Sequence, residues 1–246
     1  MKKTFGLLGK NISYSFSKKY FTEKFTKENL PYKYLNFDLN SIEDLPEILS
    51  NYIDSLKGLN VTIPYKEAIF KYLDEVDVEA EKIGAVNTIK IVDQYYLKGY
   101  NTDVYGFEKS LLPLLKKHHN SALIFGTGGA SKAIKHVLKK LEIPFMVVSR
   151  NPVSNQLSYS GLTEKIIEDH KLLINCTPLG THPKTEECVQ IPFHAIGKKH
   201  LLYDLIYNPA ETLFLKKGRE QGATTKNGLE MLQLQADKSW DIWNDF

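Results

Sequence analysis

The chain has 246 residues, enough to bury a large core and to hold one large domain or two modest ones. Its hydrophobic content of 42% and charged content of 25% are ordinary for a globular protein in water. The net charge of +3 is too small, and the lysines are too dispersed, to indicate a nucleic-acid-binding protein. No nucleic-acid partner is therefore expected.

The cysteines and the apolar runs indicate the cellular compartment. The two cysteines, Cys176 and Cys188, lie in unrelated local contexts, so neither a disulfide framework nor a zinc cluster is predicted. The N-terminus has a basic start and a short apolar stretch, more typical of a first strand than of a signal peptide. No run approaches the length of a membrane span. We expect a cytoplasmic protein with no membrane partner and no metal.

Strand and helix patterns alternate along the whole chain. In the first part, strands are predicted at 4–8, 32–38, 58–63, 85–92 and 95–100, and helices at 18–28, 42–56, 66–73 and 78–83. In the second part, strands are predicted at 122–125, 145–149, 172–176, 201–205 and 223–225, and helices at 104–117, 132–141, 163–169 and 210–221. A last helix at 228–243 carries Trp240 and Trp243 on one stripe and is expected to pack back toward the first part. This order predicts an α/β fold with mostly parallel sheets and a boundary near residues 101–103.

A glycine-rich turn follows the apolar strand predicted at 122–125. It reads Gly-Thr-Gly-Gly-Ala from Gly126 to Ala130, and a helical pattern begins directly after it. Gly126 permits a tight turn, and Gly128 lets the backbone approach a pyrophosphate, while the helix N-terminus supplies N–H groups and a positive dipole end. Strand, turn and helix together predict a dinucleotide site; a merely tight turn is the alternative.

The end of the next predicted strand indicates which dinucleotide binds. An NAD site usually carries a carboxylate there for the ribose 2′-hydroxyl, but this chain has Ser149, Arg150 and Asn151. The guanidinium of Arg150 suits a 2′-phosphate, and its two neighbours can add hydrogen bonds. We therefore predict NADP rather than NAD. The alternative is that Arg150 is only a solvated loop cation.

Four short polar stretches stand at or just after predicted strand ends in the first part, where ligands collect in open α/β sheets. They cover residues 13–17, 60–66, 84–88 and 101–103. Each stretch alone has a simpler structural explanation. Ser17 and Asp103 are suitable helix N-caps, and Asn87 can satisfy a turn.

Together these stretches resemble the motifs of the shikimate dehydrogenase family. The Ser-x-Ser pair, the Asn-Val-Thr-x-Pro-x-Lys stretch, Gly-Ala-Val-Asn-Thr and Asn-Thr-Asp occur in the family's order. The Gly-x-Gly-Gly-Ala turn, an Asn-x-Thr loop at 175–177, a Tyr-Asp-x-x-Tyr strand end at 203–207 and the helix from 228 to 236 continue the match. The resemblance implies an N-terminal α/β substrate domain and a Rossmann-type NADP-binding domain, with the C-terminal helix returning to the first.

The same resemblance implies an oxidoreductase of chorismate and aromatic amino-acid biosynthesis that reversibly reduces 3-dehydroshikimate to shikimate with NADPH. It implies a substrate domain of residues 1–102 and 228–246, an NADP domain of residues 103–227, and Lys66 and Asp103 as the catalytic pair. The implied substrate-binding residues are Ser15, Ser17, Thr62, Asn87, Tyr207 and Gln235. The implied cofactor-binding residues are Gly126, Thr127, Gly128, Gly129, Ala130, Ser149, Arg150, Asn151, Thr177, Gly228 and Met231.

These residue types suit the chemistry of carbonyl reduction. Hydride transfer leaves charge on the carbonyl oxygen, and a proton donor beside that oxygen lowers the barrier. A protonated Lys66 can be that donor, and a carboxylate at Asp103 would oppose the proton loss that burial promotes. The cofactor carries the hydride, while the protein supplies position and electrostatics.

Some positions depart from the family pattern but leave these residues intact. Lys18 stands in place of a usual Pro, Phe21 of His, Thr22 of Asn, Ser149 of Asn and Leu213 of Pro. Two alternatives stay open: a quinate/shikimate dehydrogenase paralogue that uses NAD or NADP, and a non-catalytic NADP-sensing protein, which Lys66 and Asp103 disfavour. We expect a monomer or a homodimer.

Overall fold

A computed structural model describes residues 3–13, 15–93 and 96–245 of the chain. The chain divides into two compact units, Met1–Thr102 with Ala236–Phe246, and Asp103–Gln235. Each unit is built on a six-stranded sheet accompanied by helices, which confirms the predicted α/β class. Among the helices of the described ranges, none has the length and apolar character that crossing a membrane requires.

The sheet of the first unit is mixed. Its described strands are β1 (Thr4–Gly9), β2 (Lys33–Asp38), β3 (Leu56–Val61), β4 (Glu75–Val76), β5 (Thr88–Val92) and β6 (Tyr96–Tyr100). Their order is β2-β1-β3-β5-β6-β4; β1 runs parallel to β2 and β3, whereas β5 is antiparallel to β3 and β6. The prediction of mostly parallel strands holds for this part as well, because β4 is parallel to β6 and five of the six described strands run in one direction, with β5 alone against them. The segment between β5 and β6 is too short for a crossover connection, which accounts for their antiparallel pairing. Tyr95, the first residue of the strand predicted at 95–100, lies outside the described residues.

Three described α-helices belong to the first unit alone. They are α1 (Phe16–Lys27), α2 (Leu45–Asn51) and α3 (Val78–Ile83), with 3₁₀ turns at Ile42–Asp44 and Ala68–Tyr72. The helix predicted at 66–73 is only such a turn, and the one predicted at 42–56 is a turn followed by the shorter α2. At the end of α3, Gly84 takes a φ of 68°, which ends the helix and places the start of β5 at Thr88 rather than at 85.

An aromatic cluster in the first unit holds the end of the chain. The rings of Phe5 and Trp243 stack with their centroids 4.9 Å apart. The Trp243 indole also donates a hydrogen bond to the carbonyl of Ile89 over 2.9 Å. A side chain at Gly58 would overlap this indole, so the glycine makes room for it. The last helix thus packs on the first part of the chain, as predicted.

The sheet of the second unit is parallel throughout. Its described strands are β7 (Ala122–Phe125), β8 (Phe145–Ser149), β9 (Gln156–Ser158), β10 (Leu172–Asn175), β11 (Leu201–Asp204) and β12 (Thr224–Lys226). Their order is β12-β11-β10-β7-β8-β9, so the chain reverses its direction of travel across the sheet between β7 and β10. This is the order of a Rossmann sheet, whose ligands bind at the carboxyl ends of strands beside the reversal point.

The helices of the second unit follow the predicted pattern with shifted ends. They are α4 (Asp103–Leu111), α5 (Gly129–Lys140), α6 (Glu164–Asp169) and α7 (Leu213–Glu220), and α8 (Leu229–Asn244) begins here and ends in the first unit. The predicted helix 104–117 stops early, because Pro113 falls in a 3₁₀ turn at Leu112–Leu114. The predicted inner face of α5 is buried, with Ala133, Ile134 and Val137 at most 1% exposed.

Candidate active site

Polar side chains of the first unit collect at one edge of its sheet. Strands β1, β3 and β6 end there, and the antiparallel β5 begins there, since Thr88 pairs with Asn60 on one side and with Tyr100 on the other. The predicted residues that follow or flank these strand ends are Ser15, Ser17, Thr62, Lys66 and Asn87. The structure therefore brings these five residues to one edge of one sheet.

The loop before the serine pair is fixed from two directions. Ser15 is the N-cap of α1, and its hydroxyl accepts a hydrogen bond from the backbone N–H of Lys18 at 3.2 Å. The helix predicted to begin at Lys18 therefore begins at Phe16, and Ser17, the expected cap, lies inside it. Upstream, the carboxylate of Asp38 at the end of β2 accepts hydrogen bonds from the N–H groups of residues 11 and 12, at 2.8 and 3.2 Å.

Thr62 and Lys66 lie in the segment that leaves β3. The Cγ2 methyl of Thr62 lies beside Gly9. A Cβ atom added to Gly9 would lie only 2.5 Å from this methyl group. The backbone carbonyl of Lys66 accepts a hydrogen bond from the N–H of Val86 at 2.8 Å. This bond ties the segment that carries the predicted proton donor to the segment that carries Asn87.

Asn87 is buried, and protein groups fix the orientation of its side-chain amide. Its Oδ1 accepts hydrogen bonds from the backbone N–H of Thr102 at 2.7 Å and from the hydroxyls of Thr102 and Thr88 at 3.2 and 3.1 Å. Because these donors face the oxygen, Nδ2 is the group through which Asn87 can donate to a substrate oxygen.

A buried polar network behind Asn87 contains residues that sequence reasoning missed. The hydroxyl of Ser239 on α8 lies 2.8 Å from that of Thr88 and accepts a hydrogen bond from Nδ2 of Asn60 at 2.9 Å. Tyr34 donates to Oδ1 of Asn60 at 2.7 Å, and burial raises the pKa of this phenol well above its usual value. Ser17 hydrogen-bonds to Tyr34, so one predicted substrate residue joins the same network.

In the second unit, α4 and the start of α8 carry three predicted site residues. Asp103 is the first residue of α4 and is buried, and a carboxylate is favourable at that end of a helix. Gln235 on α8 is also buried, and its amide donates to the carbonyl of Leu232 at 2.9 Å. The two helices approach closely at Gly106, where a side chain would overlap the carbonyl of Met231.

The two residues of the predicted catalytic pair lie in different units. Lys66 belongs to the first unit and Asp103 begins the second, so their pairing stays a prediction. Ser239 carried one signal that was available from sequence: it follows Gln235 by four residues on α8, which places both on one helix face.

The glycine turn after β7 fits a bound pyrophosphate. Gly126 has a φ of 103°, and a Cβ atom there would lie 2.9 Å from Cγ2 of Thr177. Gly128 is the N-cap of α5 and makes no side-chain capping bond. A Cβ atom on Gly128 or on Gly129 would meet open space, so the backbone of these two residues is open to an anionic group at the helix N-terminus.

The end of β8 presents the predicted 2′-phosphate residues. Ser149 ends the strand, and its hydroxyl accepts a hydrogen bond from the N–H of Asn151 at 3.2 Å. Arg150 between them is exposed. Burial raises the pKa of Tyr159, and the positive charge of Arg150 acts against this rise, so the guanidinium lies within electrostatic reach of the phenol.

The remaining predicted residues follow three other strands of the second unit, β10, β11 and β12. Thr177, just after β10, donates its N–H and its hydroxyl to Oδ1 of Asn175, at 3.0 and 2.7 Å. Tyr207, after β11, is 36% exposed, and burial of the rest of its ring raises its pKa. Gly228 lies so close to the carbonyl of Leu205 that a side chain would overlap it.

Comparisons with known proteins cover both units. The family model described as the shikimate dehydrogenase substrate binding domain matches residues 7–89. A shikimate dehydrogenase (NADP(+)) from Methanosphaera stadtmanae is 38% identical over 256 residues, which cover 97% of this chain and 90% of that protein. The relative's name agrees with both the predicted family and the predicted cofactor.

Solved structures share the fold over almost the whole chain. Shikimate 5-dehydrogenase from Thermus thermophilus, in complex with NADP(H) and shikimate, has a TM-score of 0.86 at 28% identity. The match covers 98% of this chain and 93% of that chain. Quinate dehydrogenase from Corynebacterium glutamicum, in complex with NAD, also has a TM-score of 0.86, at 26% identity, and is covered to 94% by 99% of this chain. Fold similarity thus extends to proteins with different substrates and cofactors.

Proposed function

This chain belongs to the shikimate dehydrogenase family, and from that premise we propose that it catalyses the reversible, NADP-dependent reduction of 3-dehydroshikimate to shikimate. One observation carries the proposal: the 38% identity to a shikimate dehydrogenase (NADP(+)) extends over 97% of the chain and so through both units. Such an enzyme is an oxidoreductase of the shikimate pathway, which leads to chorismate and the aromatic amino acids.

We assign substrate binding to the first unit, to the C-terminal helix and to Tyr207 of the second unit. The hydroxyls of Ser15 and Ser17 donate to the substrate carboxylate, and Tyr207 contributes near the same group. Thr62, Asn87 and Gln235 bind the ring hydroxyls. The clustering of polar side chains at the edge where β1, β3 and β6 end supports this assignment.

Lys66 is proposed to transfer the proton in this reaction, and Asp103 is proposed to support it. Lys66 holds a proton and gives it to the carbonyl oxygen of 3-dehydroshikimate, or takes it back from the hydroxyl in the oxidative direction. The carboxylate of Asp103 favours the charged form of the lysine and orients its ammonium group. The hydrogen bond from the N–H of Val86 to the carbonyl of Lys66 connects the backbone of Lys66 to the segment that carries Asn87.

The second unit is proposed to hold NADP through residues 103–227, and Gly228, just before α8, and Met231 on α8 extend the site. When bound, the cofactor supplies the hydride that the reduction needs. The accessible amides of residues 126–130 hold the pyrophosphate, Arg150 with Ser149 and Asn151 holds the 2′-phosphate, and Thr177 lies toward the nicotinamide. The open space above Gly128 and Gly129 supports this fit.

A second candidate is a quinate dehydrogenase that uses NAD, because a quinate dehydrogenase bound to NAD shares the fold with a TM-score of 0.86. The absence of a carboxylate among Ser149, Arg150 and Asn151 disfavours NAD. An NADP-sensing protein without catalysis is the third, and Lys66 and Asp103 count against it.

One absorbance assay distinguishes these candidates. Purified full-length chain is incubated with shikimate and NADP⁺, then with quinate and NAD⁺, and the reduced cofactor is followed by its absorbance. We expect turnover with the first pair to exceed that with the second. Faster turnover of quinate with NAD⁺ would make the chain a paralogue of the family, and NADP⁺ binding without any turnover would identify a sensor.

The setting of the enzyme is part of the proposal. We propose a cytoplasmic enzyme that is a monomer or a homodimer, with the chain's ordinary composition and modest net charge as support. Light scattering on the purified chain measures its mass in solution and distinguishes these two states from a larger assembly.

A further inference from the structure

Asp204 is a buried carboxylate that none of the steps above uses. It ends β11, which pairs with β10 one strand away from the reversal point of the Rossmann sheet, and its exposed fraction is 0%. Its partners are all neutral: Nδ2 of Asn175 and the N–H of Ile206 donate to Oδ1, both at 3.0 Å, and the hydroxyl of Thr212 donates to Oδ2 at 2.6 Å. Burying a charge without a cation is costly, so the arrangement calls for an explanation.

Each partner of Asp204 leads to a segment of the proposed NADP site. Asn175 accepts two hydrogen bonds from Thr177, and the Thr177 methyl occupies the space beside Gly126 that a Cβ atom would need. Ile206 accepts a hydrogen bond at its carbonyl from the N–H of Gly228 at 3.0 Å. One carboxylate therefore connects to both the Thr177 loop and the start of α8.

Thr212, the third partner of Asp204, lies near the other end of the Thr177 loop. Thr212 is the N-cap of α7, and its hydroxyl accepts from the N–H of Leu215 while it donates to Asp204. A Cβ atom on Gly180, whose φ is 99°, would lie 3.5 Å from Cβ of Thr212. The segment from Thr177 to Gly180 therefore begins at a residue that bonds to Asn175 and ends at a glycine that lies beside Thr212, and Asp204 bonds to both Asn175 and Thr212.

We propose that Asp204 is a positioning residue for the cofactor, which it serves by fixing the Thr177 loop and Gly228 through Asn175, Thr212 and Ile206. The inference rests on the proposed NADP site and goes beyond it by assigning a role to a group that does not itself touch the cofactor. An ionised carboxylate suits this role, because it accepts from all three donors at once and charge-assisted bonds hold their partners more firmly.

Protonation would weaken this arrangement. Burial raises the pKa of Asp204 to about 6. A carboxylic acid has to donate its proton, and Thr212, the donor to Oδ2, would have to turn its own hydrogen away. The titratable groups that respond to the Asp204 charge are the thiols of Cys176 and Cys188, and the cations that act on those thiols are Lys135 and Lys217.

The test measures the dissociation constant of NADP⁺ by calorimetry on the full chain. Removing the acceptor with Asp204→Ala is expected to weaken binding about tenfold, the usual effect of losing one charged hydrogen bond. Thr212→Val removes one bond to Asp204 together with the cap of α7, and is expected to weaken binding to a smaller extent. Thr163→Val is the matched control, because Thr163 caps α6 in the same way but has no bond to Asp204.

The pH profile provides a readout that a purely structural role would not move. Asp204→Asn keeps an acceptor for Asn175 and Ile206 but cannot titrate, so its NADP⁺ affinity should fall less steeply than that of the wild type between about pH 7 and about pH 5. The 2′-phosphate of NADP⁺ titrates near pH 6 as well, and the difference between the two proteins removes this common contribution.

Two results would overturn the inference: parallel pH profiles for wild type and Asp204→Asn, or wild-type affinity in folded Asp204→Ala. If Asp204→Ala does not fold, as circular dichroism will show, the comparison with Asp204→Asn decides alone. Wild-type turnover of shikimate is measured in parallel. A wild type that binds NADP⁺ without turnover refutes the proposed function, whereas turnover with unchanged Asp204 variants refutes only the role of Asp204.

Discussion

The side-chain oxygen of Asn87 accepts the backbone N–H of Thr102 at 2.7 Å. This bond joins Asn87, the residue before β5, to Thr102, which lies fifteen positions later in the chain and in the same unit. It fixes which end of the Asn87 amide faces the protein, because an N–H can only donate and therefore faces an oxygen. The contact proposed between Asn87 and the substrate is therefore one in which Nδ2 donates.

Replacing Asn87 with aspartate tests this orientation. Asn87→Asp keeps an oxygen for Thr102 and Thr88 but removes the Nδ2 donor, and a ring hydroxyl then loses its partner. We expect the KM for shikimate to rise about tenfold or more, the usual cost of an unpaired buried group. Asn29→Asp, in an exposed turn with a φ of 53°, makes the same chemical change away from the site and should leave steady-state kinetics unchanged. A normal KM in Asn87→Asp would show that the donor is not used.

Ser15 has two roles that substitution can separate. It caps α1 and is proposed to bind the substrate carboxylate, so Ser15→Ala should lower stability by roughly 0.5–2 kcal/mol and also raise KM. Ser15→Asp keeps the cap, because aspartate is an equally good N-cap, but places a negative charge against the carboxylate. We expect Ser15→Asp to unfold at the wild-type urea concentration and yet to have the higher KM of the two. If Ser15→Asp binds shikimate better than Ser15→Ala, the carboxylate sits elsewhere.

Lys66 is expected to act on turnover rather than on binding. Lys66→Ala removes the proton donor, and kcat should fall by about 10²–10⁴-fold, the usual contribution of general acid catalysis, with a much smaller change in KM. The control is Lys82→Ala on the exposed side of α3, which should match the wild type. A loss confined to KM would leave Lys66 as a binding residue only.

Arg150 is expected to determine cofactor preference. In Arg150→Ala, kcat/KM for NADPH should fall by roughly ten- to a hundredfold, while kcat/KM for NADH changes little, because only NADPH carries the 2′-phosphate. Lys165→Ala removes a cation on α6, where Lys165 pairs with Asp169 at 2.8 Å, and should not alter the ratio. An unchanged ratio in Arg150→Ala would mean that another group reads the phosphate.

The second unit was the more predictable from sequence. Strands 122–125 and 145–149 have the predicted bounds, because a buried parallel strand is a continuous apolar run that ends in a turn. The glycine turn was identified because it follows directly on such an apolar run. The three-residue strand Gln156–Ser158 was missed, since it is half-buried and too short to show a periodic pattern.

In the first unit, local pattern did not reveal pairing partners. Nothing in the sequence near Asn60 shows that its amide will meet Ser239, which is 179 residues away and joins the unit only when α8 packs. In the second unit, Asp204 was noticed as part of a motif, but the role proposed for it depends on the register that sets it opposite Asn175. Polar side chains at strand ends could be located from sequence, whereas the side chains that support them depend on tertiary contacts.

Two buried histidines in the second unit are expected to make stability depend on pH. Nδ1 of His200 accepts the N–H of Gly197 at 3.0 Å while Nε2 lies 3.0 Å from the carbonyl of Ile167, and His119 is bonded in the same way by Lys116 and Lys199. An Nδ1 that accepts an N–H carries no hydrogen, so these bonds correspond to neutral rings with the hydrogen on Nε2. Protonating Nδ1 of His119 would place a donor against the N–H of Lys116, whereas Nδ1 of His200 also lies 3.2 Å from the carbonyl of Gly197. Burial lowers the pKa of both groups.

A lowered pKa in the folded state means that the unfolded chain takes up protons first as the pH falls below about 6.5, so stability is present above that pH and is lost below it. Urea unfolding of the wild type should have its midpoint at a lower urea concentration near about pH 5.5 than near about pH 7.5. His200→Gln, which keeps a donor for Ile167 but does not titrate, should show a smaller shift of the midpoint. His194→Gln, in an exposed pair with Glu164, is the matched control.

Asp204 changes stability in the opposite direction, because its raised pKa lets the folded state gain a proton as the pH falls through about 6. The comparison among the variants therefore isolates the histidine. Circular dichroism is the suitable probe, since both tryptophans lie in the first unit. Equal shifts in the wild type and His200→Gln would show that this ring does not couple folding to pH.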